Sequence, residues 1–170
     1  MTIHETIQAN SFVAFINSAR DFCNFIETDK TENHISFLQQ TQHHLHTLYF
    51  GGQNLQFVDL SFNLDFPDIM TKVQVEIVLN RLANKLTNRF YCHVFDPTKE
   101  GNIETVCGDL LDDLGDIYID LKNALLLFDK GTPAEIECAV WSFKFDFDSH
   151  WGNHCINATY ALHYFIKGSI

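Results

Sequence analysis

Gly131-Thr132-Pro133-Ala134-Glu135 divides two long stretches of apolar periodicity, and no other part of the chain constrains the fold as tightly. A glycine after Lys130 supplies the left-handed residue that stops a helix. Thr132 supplies an N-cap hydroxyl, Pro133 the preferred first helical residue, and Glu135 the carboxylate of a capping box. One helix, about Ile103 to Lys130, therefore ends where the next, about Thr132 to Lys167, begins. Such a short reversal makes them antiparallel neighbours. Trp141, Phe143, Phe145, Phe147, Trp151 and Phe165 make the second apolar on most sides, which places it centrally. Trp141 to Asp148 also alternates with period two, but the capping box before it and the helical spacing after it favour helix.

The rest of the chain reads the same way. Phe12, Phe15, Ile16, Ala19, Phe22, Cys23 and Ile26 mark a helix over Asn10–Thr28, with Asn10 or Ser11 at its cap. Ile35, Leu38, Leu45 and Leu48 mark a second, from about Thr31 to Phe50, closed by Gly51-Gly52. Thr71-Lys72-Val73-Gln74 has capping-box spacing and opens a third, carried to about Tyr91 by Val75, Val78, Leu79, Leu82, Leu86 and Phe90. Residues 95–102 are loop chemistry. Gln53 to Asp68 alternates with period two through Leu60, Phe62, Leu64 and Phe66, which fits an extended segment laid across a helical groove or a short strand. The expectation is one all-α domain over 1–170, an antiparallel bundle of about five to seven helices, and 46% apolar residues suffice for its core.

Charge and composition remove several function classes. With 22 acidic against 11 basic side chains and a net charge of −11, the chain lacks the cationic footprint of a nucleic-acid binder. The same excess opposes docking on an anionic membrane. The polar start, Met1 to Gln8, is no secretory signal, and no window is apolar for long enough to span a bilayer. Cys23, Cys92, Cys107, Cys138 and Cys155 are odd in number, widely spaced and without a C-x-x-C, so reduced thiols and a cytoplasmic location are expected.

Tyr91 with Val94-Phe95-Asp96-Pro97, the run from Gly108 to Lys122, Gly131, Trp141, His150-Trp151-Gly152-Asn153-His154 and Ala161-Leu162-His163 stand in an order that resembles a bacterial family, the domain of unknown function 5063. The likeness covers about Tyr91 to Tyr164. Asn123-Ala124 stands where that family usually has glycine after Asp-Leu-Lys. The resemblance implies a helical bundle. The family has no established activity, so it carries over no catalytic residue.

Two clusters carry chemistry. At about 100° per residue, Asp109, Asp112, Asp113, Asp116 and Asp120 fall on an arc of roughly 100° of one helix. Carboxylates four residues apart repel by about 0.2–0.5 kcal/mol per pair. The row is therefore a solvated face, a set of partners for Arg81, Arg89 or a histidine, or a cation site. On the following helix His150 and His154 are one turn apart with Asp146 before them. Two imidazoles facing Asp109, Asp113, Asp116 and Asp120 would form an N/O site for a divalent transition metal such as Zn, Mn or Fe. Without a metal, the same groups would pair and set helix register. Gly152 costs about 1 kcal/mol inside a helix, so another backbone or a ligand should approach there. Trp151 and Gly152 are thus the ligand-pocket candidates.

Other constellations are weaker. His43, His44 and His46 read as polar helix surface. Cys155 and His154 point about 100° apart and cannot work as nucleophile and base. Glu135 and Glu137 are too little to complete the magnesium site of an all-α nucleotide pyrophosphatase. No phosphate loop, G-x-S-x-G or dinucleotide fingerprint occurs, and whether the chain is an enzyme stays open. The reading ranked first is a non-catalytic module that binds a basic protein partner through its acidic surface. The alternative is a metal- or small-ligand-binding bundle, with hydrolase chemistry as one form of it.

Overall fold

The computed structural model describes residues 2–61, 69–94, 97–98 and 104–169. Its helices are α1 (Ile3–Gln8), α2 (Asn10–Thr28), α3 (His34–Gln53), α4 (Lys72–Lys85), α5 (Leu110–Lys130), α6 (Pro133–Asp146) and α7 (Gly152–Lys167). Between α4 and α5 lies an antiparallel pair of strands, β1 (Phe90–Val94) and β2 (Thr105–Asp109). The fold is a helical bundle, as its periodicities require. No helix among the described residues is long and apolar enough to cross a membrane.

The turn between α5 and α6 is built as its residues dictate. Gly131 adopts φ +80°. Thr132 Oγ1 accepts the Glu135 N–H at 3.3 Å and donates to Glu135 Oε2 at 2.6 Å. The capping box at Thr71 and Gln74 also forms. A second capping box, Thr2 with Glu5, starts α1, which the polar N-terminus had not suggested. Ala9, rather than Asn10 or Ser11, then becomes the N-cap of α2.

Phe15, Phe22, Leu38, Leu45, Leu114, Ile117, Leu121, Phe143 and Trp151 form the centre of the core. Helix α3 runs through Gly51 and Gly52 rather than stopping there. Gly52 leaves the space in which the Phe147 ring packs, and a Cβ there would overlap that ring. Asn123 also finds a use: its Oδ1 accepts the Ile69 and Met70 N–H groups, each at 2.9 Å, and so fixes the approach to α4.

Two boundaries differ from expectation for one reason. Helix α4 stops at Lys85, and residues 90–94 form a strand. Helix α5 starts at Leu110, and residues 105–109 form the partner strand. Phe90-Tyr91-Cys92-His93-Val94 is rich in strand-favouring aromatic side chains, but a strand forms only where a partner is available, and that partner lies beyond the intervening loop. Residues 55–61 adopt neither helix nor strand. The rest of the expected extended segment, 62–68, lies outside the described residues, as do 95–96 and 99–102 of the expected loop and residue 103, where the next helix was expected to begin.

The helix expected after Thr132 is one right-handed path from Pro133 to Lys167 with a single widened turn, a π-turn over Phe147–Trp151. Gly152 allows it: the Phe147 carbonyl oxygen occupies the space a Cβ on Gly152 would need. π-Turns inside α-helices are frequent at functional sites. This one contains His150.

Candidate metal centre

Helix α5 presents Asp113, Asp116 and Asp120 from successive turns, and the π-turn and first turn of α7 present His150 and His154. The pairing is direct. His150 Nδ1 lies 2.6 Å from Asp120 Oδ2, and His154 Nδ1 lies 2.8 Å from Asp113 Oδ1. Both Nε2 atoms turn toward one oxygen, Asp116 Oδ2, at 3.3 Å from His154 and 3.8 Å from His150. The rings sit edge to face with centroids 4.8 Å apart. One donor atom from each of Asp116, His150 and His154 falls within 4.8 Å of the others.

The side chains around this cluster are held in place too. Tyr91 Oη donates to Asp113 Oδ2 at 2.5 Å, so both oxygens of Asp113 are engaged. The Tyr91 ring lies over Gly108 in the opposite strand, where a Cβ would overlap it. The hairpin therefore holds Tyr91, Tyr91 holds Asp113, and Asp113 orients His154. Asp113 is only 4% exposed, so its charge depends on these partners.

Protonation shows what the arrangement lacks. When an Nδ1–H donates to a carboxylate, the neutral ring carries a lone pair on Nε2. Two such lone pairs then face a carboxylate oxygen, and only a proton or a cation can hold the three together. Without a metal, a proton on His154 takes that place. The hydrogen bond to Asp113 raises the pKa of His154 above its ordinary value, against the effect of burial. Burial raises Asp116, with Asp112 and Asp120 adding repulsion and the histidines opposing it. Asp146, just before the π-turn, is pushed up to about 6 by burial and by Asp120.

The spacing of the three donor atoms approaches that of a metal site. Ligand atoms about 2.1 Å from a metal stand about 3.0–3.4 Å apart. Asp116 Oδ2 and His154 Nε2 already do; His150 Nε2 stands 3.8 Å from that oxygen and the whole set spans 4.8 Å, so the His150 ring must swing inward to complete a three-ligand set. Two histidines and one carboxylate leave further coordination positions for water or a ligand. The Nδ1–carboxylate bonds are those that orient metal-bound histidines.

A cavity of about 780 Å³ lies between the hairpin and α7, lined by Cys92, His93, Thr105, Asn153, Asn157 and Tyr160 among others. Asn153 and Asn157 follow His150 and His154 by three residues each, so they stand one turn along the same helix.

A family profile for the domain of unknown function DUF5063 matches residues 6–167. The chain belongs to the DUF5063 family. That span contains every residue of the candidate centre and extends well before Tyr91. The fold is also similar to the crystal structure of protein BF1032 from Bacteroides fragilis, with a TM-score of 0.79 and 22% identity over 95% of this chain and 98% of that one. A comparison with curated proteins finds no match.

In this DUF5063 protein the structure brings together Asp113, Asp116, Asp120, His150 and His154. It separates Asp109, which sits in the extended residue before α5, caps Leu111 N–H at 3.0 Å and pairs with Arg89 at 3.2 Å. Arg81 bonds the Asp29 carbonyl instead. Asp112 is exposed, Asp109, Asp116 and Asp120 are part-exposed, and Asp113 is buried. Trp151 and Gly152 are buried in the core and line no part of the cavity. The close approach that Gly152 permits is made by the carbonyl of its own helix. Cys155 is buried and points to the Leu45 carbonyl, away from any role with His154. His44 rests on Phe25, while His43 and His46 are exposed. Sequence reasoning missed Tyr91, because that residue was counted in a helix.

Proposed function

We propose that this protein binds one divalent transition-metal ion through Asp116, His150 and His154, with Asp113 and Asp120 orienting the histidines. The observation that carries this reading is the convergence of both Nε2 atoms on Asp116 Oδ2 while both Nδ1 atoms are held by other carboxylates. Simple register pairing would need only the two Nδ1 contacts. The ligand set suits Zn, Mn or Fe, and its unfilled positions suit a metal-bound water or a small ligand. A bound metal supplies Lewis acidity and lowers the pKa of that water, which is the chemistry of metal-assisted hydrolysis. A second reading, a module that binds a basic protein partner through its acidic surface, rests on the net charge of −11 and on exposed carboxylates such as Asp112.

Elemental analysis of protein prepared without chelator or affinity histidines, followed by calorimetric titration of stripped protein with Zn and Mn, tests this. The expected result is close to one metal per chain, lost in Asp116→Asn and in the double substitution His150→Ala with His154→Ala. Absence of metal from the wild type in both measurements, or unchanged binding in the folded variants, overturns it.

A further inference from the structure

Two of the five cysteines are placed differently from the others. Cys23, Cys138 and Cys155 are buried, and burial pushes the thiols of Cys23 and Cys155 up to about 12. Cys92 and Cys107 are exposed and stand directly opposite each other in the β1–β2 hairpin. Antiparallel pairs alternate between hydrogen-bonded and non-hydrogen-bonded positions. Leu110 N–H donates to the Arg89 carbonyl at 2.9 Å, so Arg89 with Leu110 is a hydrogen-bonded pair. Counting along the register, Tyr91 with Gly108 is hydrogen-bonded and Cys92 with Cys107 is not. Non-hydrogen-bonded pairs bring Cα atoms to about 4.5 Å and side chains closest together. A disulfide requires Cα atoms about 4.4–6.8 Å apart.

We infer that Cys92 and Cys107 are a redox-active pair that closes reversibly into a cross-strand disulfide. A low-molecular-weight disulfide is the oxidant. The thiolate of one cysteine attacks a sulfur of that disulfide, forming a mixed disulfide and releasing one small thiol. The second cysteine, losing its proton, attacks the protein-side sulfur and releases the other. Two protein thiols are oxidised and one small disulfide is reduced to two thiols. The bond ties together the strands that carry Tyr91 and Gly108, and so fixes the support of Asp113 in the oxidised protein. This inference is independent of whether a metal is bound.

The test uses the native full chain treated with glutathione disulfide, then thiol titration and peptide mass spectrometry. The free thiol count is expected to fall from five to three, with one cross-linked peptide joining Cys92 to Cys107, and dithiothreitol should restore all the thiols. Cys92→Ser and Cys107→Ser should each stop at a mixed disulfide with glutathione on the remaining exposed cysteine. Retention of all the thiols in the wild type, glutathione held separately on both cysteines, or a cross-link to any other cysteine or a second chain overturns the inference.

Discussion

Tyr91 and His154 grip opposite oxygens of one carboxylate: Tyr91 Oη donates to Asp113 Oδ2 at 2.5 Å, and His154 Nδ1 lies 2.8 Å from Oδ1. A strand far away in sequence thus sets the orientation of an imidazole on the last helix. If that imidazole binds a metal, Tyr91→Phe keeps the ring over Gly108 and removes only the hydroxyl. Metal affinity should then fall about 10- to 100-fold with unchanged stoichiometry, as read by competition with a chromophoric chelator. Unchanged affinity would mean that the hydroxyl does not support the site.

Asp116→Asn separates metal binding from register pairing. The histidines keep their Nδ1 partners, Asp120 and Asp113, while the shared oxygen anion is gone. The metal-free variant should match wild-type stability to within about 0.5 kcal/mol and lose metal binding. Chemical denaturation in chelator gives the first quantity and calorimetry the second. A large loss of stability without metal would assign Asp116 a structural role instead.

Gly152→Ala tests the π-turn. The added methyl meets the Phe147 carbonyl, so the turn must tighten or the helix must shift. Overpacking of this kind costs about 1–3 kcal/mol, measurable by urea denaturation. A neutral effect would show that the turn can close in the ordinary α-helical way.

The pH dependence should reverse with metal. Asp146 moves up from an ordinary 3.8 to about 6, and His154 moves up from 6.5. Both shifts make the native protein hold more protons than the unfolded chain, Asp146 between about pH 4 and about 6 and His154 over a window that opens near its ordinary 6.5. The slope of unfolding free energy with pH is then negative. Asp146 loses its contribution as pH rises through about 6, and His154 loses its own as pH rises through its raised value. Metal-free protein should therefore be less stable at about pH 8 than at about pH 5.5. Added metal should stabilise more strongly at the higher pH, because its ligands must be deprotonated. Denaturation curves at both pH values, with chelator and with Zn, read the two slopes.

Local chemistry made most of the bundle legible. Gly131, Thr132 and the Thr71–Gln74 box act within a few residues, so their signals survive in the sequence alone. The histidine–aspartate facing was legible because helical phase and one short turn determine it. The hairpin was not, because Phe90 fits a helical stripe until its partner strand is known. That one misreading extended α5 backward, put Asp109 on the helix face, and hid Tyr91. Gly152 signalled a close approach, but the identity of the approaching group depended on a π-turn that no spacing announces.

The most direct test of the central claim is an anomalous difference map from crystals of protein loaded with Zn or Mn, recorded at the metal's absorption edge. The account predicts one strong peak about 2.1 Å from His150 Nε2, His154 Nε2 and an Asp116 oxygen. A loaded crystal with no peak there, or with its metal held elsewhere, would contradict it.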